Sequence, residues 1–312
     1  MSDGIVSGSM GKQATNSDRN RDRDRQTYLA GVVLVCLSAV VFSTAGLFTK
    51  GVGADAWSVI FWRGISAALL SVLFLALRSG VRSELARFDG YAWGAALLLA
   101  AGTAAFIPAF KLTTIANVAM IWAAAPFVSA LLAWLFIRER PSKIVLAASG
   151  LAMLGVVIIV GGSIGTGHWV GDLLACWMTV MMAGAIVIYR KRPETPTVLP
   201  AALSSVLLLP PALWLAKPLE TASGEISILL AFGLIFAVAS ITLSEGAKRL
   251  PAAQTALLGA LETPLAPLWA FLLFAETPSQ AALLGSGIIL VAIVLPQVAR
   301  HRKPGPENRC SK

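Results

Sequence analysis

Glu262 is the residue of this sequence with the clearest capacity for chemistry, because its carboxylate interrupts a long apolar run. An ionised carboxylate buried among apolar groups is costly unless it is paired or protonated, so such a group usually faces a cavity. There it can exchange a proton or bind an amine. Pro264 follows closely, and a proline at that place frees a backbone carbonyl and kinks a helix. Helical spacing predicts Thr255, Gly259 and Trp269 on the same face.

Two interpretations of Glu262 stay open. In the first, the carboxylate carries protons or contacts a cationic group of a ligand. In the second, a protonated Glu262 hydrogen-bonds the backbone at the Pro264 kink and has only a structural role. The matching residue of an internal repeat, described below, is Ala125, so the repeat does not account for a charge at this position.

Arg63 is the one basic residue that lies well inside an apolar run. It is a candidate counter-charge for an anionic group of a ligand or for Glu262. The favoured alternative is that the side chain extends to the outer membrane interface, since Trp57 lies close by in the chain and long basic side chains often reach the interface in this way.

Other polar and aromatic side chains recur at helical spacing in further apolar runs. Trp122 and Ser129 share a face of one run, Trp177 and Met181 share a face of another, and Thr44 lies in the run that matches the latter by repetition. A stripe of aromatic residues and Met is more often packing than a binding site. Both interpretations are kept.

Asn117 and Gln254 occupy matching positions near the start of two runs. Amide side chains there would meet water and headgroups before the apolar interior begins. We therefore expect them to line the two mouths of a path through the molecule.

The elements that carry these residues are membrane helices. Hydrophobic residues make up 57% of the 312 residues, charged residues only 13%, and the mean hydropathy is +0.77, values outside the range of soluble domains. A helix that crosses a bilayer needs about 20 apolar residues. The sequence contains ten such runs, here called spans one to ten, at about 29–48, 57–77, 91–110, 113–137, 144–161, 169–189, 198–216, 226–244, 252–275 and 280–298.

The ten spans are two copies of one unit. Glu139-Arg140-Pro141-Ser142 ends span four and Glu276-Thr277-Pro278-Ser279 ends span nine, at an offset of 137 residues that also pairs Ser149-Gly150 with Ser286-Gly287. The first spans of the copies match at an offset of 140, as Cys36 and Cys176 show. A duplicated membrane unit is typical of transporter folds, in which the substrate site lies between the two repeats.

Basic residues give the orientation, because loops rich in Lys and Arg stay in the cytoplasm. Of the 25 Lys and Arg residues, 21 lie in the two tails and in every second joint between spans. This alternation predicts ten spans with both termini cytoplasmic. A repeat of five spans crosses the membrane an odd number of times, so the second copy must be inverted relative to the first.

The matched stretches resemble the drug/metabolite transporter superfamily, and in particular its EamA-type ten-helix transporters. The resemblance covers about residues 28–298 and implies that spans one, four, six and nine border a central cavity. The two repeats are expected at 28–161 and 168–298. They lie between a cytoplasmic tail at 1–27, which its polar composition predicts to be disordered, and a basic cytoplasmic tail at 299–312. The stretches that carry the resemblance are Lys111–Asn117, Ala125-Pro126, Trp134–Ser142, Gly171-Asp172, Ala247–Ala253, Leu261–Pro264 and Phe274–Ser279.

The expected function is that of a secondary transporter in the cell (inner) membrane, exporting small metabolites such as amino acids or related amphiphiles, with proton coupling through Glu262. The alternatives are an importer of a nucleotide-like or vitamin-like metabolite and, from another class, an integral-membrane enzyme or a lipid-handling scaffold. No nucleotide-binding Gly-rich loop and no Ser/His/Asp set is present, and neither the cysteines nor the histidines have metal-ligand spacing. We expect no cofactor, metal, disulfide or nucleic-acid partner, and either a monomer or a homodimer in the bilayer.

Overall fold

The structure is a computed structural model of the chain and describes residues 4–77, 80–112, 118, 121–122, 124–161, 169–262, 264–265, 268–269, 272 and 280–301. Every regular element within these ranges is helical. The α-helices are α1 Gly4–Phe42, α2 Ala45–Lys50, α3 Ala56–Leu77, α4 Val81–Ala86, α5 Gly90–Leu112, α6 Ala125–Ile137, α7 Lys143–Gly161, α8 Trp169–Lys191, α9 Val198–Leu207, α10 Leu209–Leu215, α11 Ser223–Ala247, α12 Ala252–Gly259 and α13 Gln280–His301, with a short 3₁₀ helix at Pro218–Glu220.

Within the described ranges, six helical segments are long and apolar enough to cross a membrane. This agrees with the predicted all-helical membrane class. The other four predicted spans are represented in the described residues by shorter helices or by parts of helices, so the count of ten stays a prediction. The six segments are Asp22–Thr49, Ala56–Leu77, Gly90–Leu112, Val170–Lys191, Val198–Leu215 and Ser223–Ala247.

The amino-terminal tail differs from the prediction of a disordered segment, because α1 begins at Gly4. Starting a helix is costly whereas extending one is cheap, so the polar tail can continue the helix of the first span. Residues 22–27 are all exposed, and Tyr28 is the first buried side chain after them.

Two spans are interrupted where hydroxyl or proline residues compete with the helical hydrogen bonds. Between α1 and α2, the hydroxyls of Ser43 and Thr44 donate to the carbonyls of Val40 and Val41 at 2.6 and 2.7 Å. Between α9 and α10, the chain turns at Leu208 ahead of two prolines that cannot donate to the preceding turn. Span one therefore breaks in its outer half, by the predicted orientation.

The helices pack in pairs that are exchanged when one repeat is mapped onto the other. Span one packs on span eight, and the corresponding span six packs on span three. Span two also packs on span eight, and the corresponding span seven also packs on span three. Span four contacts span six as span nine contacts span one. Three pairs map onto themselves, namely two with seven, four with nine and five with ten. This pattern is what a pseudo-twofold relation between two repeats produces.

Glycines allow the closest approaches between helices of different repeats. A Cβ at Gly233 of α11 would overlap the Arg63 carbonyl and the Ser66 hydroxyl of α3. A Cβ at Gly155 of α7 would lie 2.7 Å from the Gly285 carbonyl oxygen of α13. Small residues at such contacts let membrane helices pack backbone to backbone, so these pairs fix one repeat against the other.

Candidate transport path

The ninth and fourth spans are interrupted at the same point of the repeat. The N–H of Leu261 donates to the Leu258 carbonyl at 3.1 Å, and at an offset of 137 the N–H of Ala124 donates to the Ile121 carbonyl at 3.1 Å. Both hydrogen bonds join residues three apart in the chain, whereas an α-helical bond joins residues four apart. The chain is therefore locally tightened into a turn. Glu262 is the first helical residue after the turn of span nine.

The Glu262 carboxylate is half-buried, and within the described part of the chain it has neither a hydrogen-bond nor an ion-pair partner. Thr255, predicted to share its face, is fully buried, and its hydroxyl donates to the Pro251 carbonyl at 3.2 Å. The hydroxyl of Thr255 is therefore already engaged by its own helix. Of these two side chains, Glu262 is the one available to a ligand or a proton.

Gly259 lies beside open space, although the residue itself is buried. A Cβ built there meets no heavy atom within 4 Å, whereas a Cβ at Gly246 would overlap Val35. A buried glycine whose side-chain position is empty borders a void between helices. The predicted face of Thr255, Gly259 and Glu262 therefore has unfilled volume next to it.

Among the residues that the structure describes, six bury side-chain nitrogen or oxygen atoms that have no hydrogen-bond partner. Such atoms are rare in folded proteins, and each calls for a role such as contact with water or a ligand. Four of the six were predicted as site residues, and Ser38 and Tyr189 were not. They are distributed over spans one, two, four, six and nine: Ser38, Arg63, Trp122, Ser129, Tyr189 and Gln254.

Ser129 and Tyr189 belong to the helices α6 and α8, which pack on each other and on α12. Ser129 is wholly buried, and its hydroxyl has no partner. The Tyr189 hydroxyl lies beside Ser244 without the geometry of a hydrogen bond. A phenol group buried inside an apolar run is itself a sequence signal, which the prediction overlooked because Tyr189 directly precedes the basic joint at Arg190.

Trp122 has features both of a packing residue and of a binding residue, the two interpretations that the sequence left open. Its ring is half-buried and packs against two groups of buried side chains, one around Tyr189 and Ala256 and the other around Met178. Its indole N–H is nevertheless buried without an acceptor. The ring therefore contributes to packing between α6, α8 and α12, while its polar edge is left for another partner.

Spans one and six present matching apolar stripes at the surface of the bundle. Leu37 is 46% exposed and its repeat-mate Trp177 is 54% exposed. Met181, predicted to line the path with Trp177, is half-buried, as is Thr44. A stripe this exposed must be covered by lipid or face an open cavity.

Arg63 does not extend to the interface, contrary to the favoured expectation. The side chain is only 2% exposed and lies among the helices, with its guanidinium over the ring of Phe236. The prediction was wrong because it considered the distance along the chain to Trp57 and not the direction of the side chain. Arg63 sits on the face of α3 that packs against α11, next to Gly233, and that face points into the bundle.

Gln254 borders a cleft of about 180 Å³ at the end of the bundle predicted to be cytoplasmic. Its side-chain oxygen is buried without a partner. Asn117, predicted for the other mouth, lies outside the described residues. The lining of the cleft combines the joint after span four with the start of span nine: Ala130, Ala133, Glu139, Arg140, Pro141, Ser142, Val145, Pro251, Ala253 and Gln254.

Polar contacts join the two repeats at this same end. Arg190 Nε donates to Glu139 at 3.1 Å, and both side chains are about one-third exposed or less. Glu84 is buried and accepts from the backbone N–H groups of Val198 and Leu199, at 3.4 and 2.8 Å. The first contact ties the ends of spans four and six together, and the second ties α4 to the start of span seven.

The structure thus separates the predicted site residues into two groups. Trp122, Ser129, Thr255, Gln254 and Glu262 lie on the mutually packed helices of spans four and nine. Arg63 lies on α3 against α11, among aromatic rings. The first group offers a carboxylate, an indole N–H, a hydroxyl and an amide oxygen, and the second offers a guanidinium. Among the described residues, no three His, Cys, Asp or Glu side chains are placed to hold a metal ion.

Comparisons with known proteins agree with the duplicated arrangement. The sequence model of the EamA-like transporter family matches residues 29–161 and again residues 169–296. A solved crystal structure of a protein aligns with a TM-score of 0.74 at 19% identity, over 87% of this chain and 98% of that chain. An identity this low shows a shared fold alone. The comparison with curated proteins gave no match.

Proposed function

The chain belongs to the EamA-like transporter family, and we propose from this premise that it is a secondary active exporter of small metabolites, such as amino acids or related amphiphiles, that works by alternating access. Membership itself makes the chain a multi-pass membrane protein of a transporter family of small molecules. The direction of transport, the class of substrate and the coupling to protons are parts of the proposal.

The observation that carries the proposal is the set of buried polar atoms without partners on spans one, two, four, six and nine. Each such atom lowers the stability of the folded protein, because it has lost its hydrogen bonds to water and has gained none within the protein. A transporter needs them free, because they must exchange water for substrate groups during each cycle. The open space beside Gly259 gives such a substrate room next to the same helices.

Alternating access requires one repeat to move relative to the other. In transporters with duplicated units, interrupted helices commonly form the substrate site, and one repeat moves against the other around it. Here spans four and nine are interrupted at matching positions, and the Glu139–Arg190 pair links the repeats at one end. We propose that this pair and the contacts of Glu84 close the cytoplasmic mouth and separate when the site opens toward the cytoplasm.

Within this scheme, Glu262 binds the amine of the substrate or a proton in its place. Trp122, Ser129 and Thr255 form the wall of the path, with Trp177, Met181, Thr44 and Trp269 on its further sides. Gln254 and Asn117 lie at its mouths. One carboxylate among aromatic rings suits a substrate with an apolar body and an amine.

The test is counterflow in proteoliposomes that contain the purified protein, with radiolabelled amino acids, nucleosides and cationic drugs as the panel. We expect exchange of at least one amino acid or amphiphilic amine and none of the nucleosides. Exchange of nucleosides alone would support the importer of nucleotide-like metabolites, and no exchange of any compound would contradict the proposal.

Ser129→Ala makes this test residue-specific. Because the Ser129 hydroxyl has no partner, its removal deletes no hydrogen bond of the folded protein. We expect unchanged thermal stability and a several-fold weaker apparent affinity in counterflow. Ser149→Ala is the matched control, since Ser149 is equally buried but donates to the Val145 carbonyl at 2.8 Å. Equal transport by both variants would remove Ser129 from the path.

A further inference from the structure

Arg63 carries a positive charge into the interior of the helix bundle. It lies in α3, two turns from the start of the helix, and is 2% exposed. Its guanidinium carbon lies 3.8 Å from the ring centroid of Phe236 and 5.5 Å from that of Phe232. Arg does not lose its proton in proteins, so this group remains a buried cation.

The charge of Arg63 has no balancing carboxylate among the described residues. Its Nε and Nη1 atoms are buried and have no hydrogen-bond partner, and none of the ion pairs of the described chain involves it. Contact with two aromatic rings offsets only part of the cost of removing a guanidinium from water. The site therefore holds an excess positive charge that an anion would neutralise.

The surroundings of the guanidinium are aromatic. Phe42 meets Phe236 edge to face with centroids 5.4 Å apart, and Phe48 stacks on Phe232 at 5.2 Å. Phe232 and Phe236 contact the guanidinium, and Phe42 and Phe48 extend them into a cluster of four rings, here called the aromatic wall. One guanidinium balances one negative charge, and the wall provides an apolar surface for whatever carries that charge.

The four rings come from two different settings, a tightly packed pair of helices and an interrupted span. Backbones of α3 and α11 touch at Arg63 and Gly233, so these helices cannot separate without losing that contact. Phe42 and Phe48, by contrast, are half-buried and flank the break between α1 and α2. Phe42 and Phe48 are therefore the rings of this cluster that lie in an interrupted span.

We propose that Arg63 is the binding site for a single carboxylate of the transported compound, whose apolar body lies against Phe42, Phe48, Phe232 and Phe236. This assignment rests on the proposed transport function and adds the acidic half of the substrate to it. A carboxylate fits the planar fork of a guanidinium through two parallel N–H···O bonds and carries the single negative charge that Arg63 can balance. The transported class is then a monocarboxylate with an aromatic or branched apolar group, including zwitterionic amino acids.

The experiment compares carboxylates with their neutral amides, using thermal unfolding of the full-length protein in detergent. The probes are phenylacetate, 4-methylpentanoate and phenylalanine, each against its amide, at fixed ionic strength and neutral pH. We expect each carboxylate to raise the apparent Tm of the wild-type protein in a saturable way and the amides to leave it unchanged. Equal effects of acids and amides, or no effect of any acid, would overturn the proposal without reference to a variant.

Two substitutions localise the effect. Arg63→Met keeps the length and apolar stem of the side chain and should abolish the Tm increase, while the unliganded protein should be as stable as the wild type, because an unpaired buried charge is removed. Arg63→Lys keeps the charge but loses the planar fork, and its titration midpoint should rise about tenfold. Arg192→Met, at an exposed arginine paired with Glu194, is the control and should respond as the wild type does. An undiminished response of both Arg63 variants would overturn the proposal.

Counterflow of the same compounds separates this inference from the proposed function. Carboxylate binding that depends on Arg63, without exchange of any compound, would contradict transport and leave the site standing. Exchange of uncharged compounds by wild type and Arg63→Met alike would contradict the site and leave transport standing.

Discussion

The indole N–H of Trp269 donates to the hydroxyl of Ser43 at 2.6 Å. Ser43 lies at the break between α1 and α2, and its own hydroxyl donates to the Val40 carbonyl. Trp269 lies two turns beyond Glu262 in the predicted ninth span. One hydrogen bond therefore connects the interrupted part of span one with the span that carries the Glu262 carboxylate, across the two repeats.

The two ends of this bond should respond unequally to substitution. Trp269→Phe keeps a ring and leaves Ser43 bonded to Val40, so we expect a loss of about 1 kcal/mol, the usual value of one hydrogen bond. Ser43→Ala leaves the indole N–H without its acceptor and should cost more. Apparent Tm in detergent measures both. Trp214→Phe is the control, because Trp214 is 85% exposed, and it should leave the Tm unchanged. Equal losses for Trp269→Phe and Trp214→Phe would contradict the connection.

Substitution by alanine should have opposite effects on stability at Gly259 and at Gly246. Gly259→Ala fills open space and should leave stability equal or higher by up to about 1 kcal/mol, since alanine is the better helix former. Gly246→Ala should destabilise strongly, because its Cβ would overlap Val35.

Transport then distinguishes a path from a mere void at Gly259. Gly259→Trp should keep the protein folded and block counterflow by occupying the space beside span nine. Size-exclusion profiles and counterflow rates are the two measurements. A folded Gly259→Trp variant with wild-type rates would show that substrate does not pass this residue.

Asp55 caps the start of α3, the helix that carries Arg63. One carboxylate oxygen accepts from the N–H groups of Trp57 and Ser58 at 2.8 and 3.0 Å, and the other accepts from the Ser58 hydroxyl at 2.5 Å. Burial raises the pKa of Asp55, but these hydrogen bonds outweigh it, so that the pKa lies below its ordinary value. Asp55→Ala should therefore cost about 1 kcal/mol at neutral pH, as other helix caps do.

The pH dependence of this cap follows from the lowered pKa. A carboxylate whose pKa is lower in the folded protein contributes its full stabilisation above the unfolded value of about 3.9 and loses it as the pH falls through the folded value. The Tm difference between wild type and Asp55→Ala should be constant from neutral pH down to about 5 and shrink below about 4. Asp55→Asn, which keeps one acceptor oxygen, should lie between the two at neutral pH. A difference that grows on acidification would contradict this assignment.

The predicted orientation can be tested at two exposed serines. In a variant without the natural cysteines, Ser223→Cys at the start of α11 should react with a membrane-impermeant thiol reagent in whole cells, and Ser83→Cys in α4 should react only after the cells are opened. The reason is the concentration of 21 of the 25 basic residues in the joints and tails on the side of Ser83. Labelling of Ser83→Cys from outside would reverse the orientation. Thr195, on the same side, is buried and would be a poor reporter.

The fold could be predicted to a large extent because its determinants are local and repeated. Apolar length predicts membrane helices, and the duplicated Glu-x-Pro-Ser motif predicts two repeats. The breaks of spans four and nine at matching residues follow from the same duplication. The break at Ser43 and Thr44 was not predicted, since hydroxyl residues are frequent within membrane helices and bend only some of them.

The side chains were harder to predict than the helices, because burial depends on which way a residue points. Arg63 was placed at the interface and lies in the interior, and Tyr189 and Ser38 were overlooked although their polar atoms are buried without partners. Periodicity gives the relative angle of residues on one helix, but the neighbour of each face is determined by packing with the other repeat. Gly233, through which α11 approaches α3 so closely, has no distinguishing mark in the sequence.

Glu262 provides the most demanding prediction, because its repeat-mate Ala125 occupies the same place without a charge. If the carboxylate carries a proton or binds an amine, Glu262→Gln should keep the shape of the residue while removing that exchange. We expect near-normal expression and Tm, loss of accumulation driven by a proton gradient, and a flat pH profile of counterflow.

Glu262→Ala separates a structural carboxylate from a functional one. Loss of a hydrogen bond at the Pro264 kink should lower the Tm of Glu262→Ala well below that of Glu262→Gln, whereas a carboxylate that serves only transport should give two variants of similar stability. The measurement is transport in proteoliposomes at several internal and external pH values, with Ser149→Ala as the control, because Ser149 is buried outside the proposed path. Wild-type rates and an unchanged pH profile for Glu262→Gln would make Glu262 a structural acid, because an amide cannot release a proton or balance the charge of an amine.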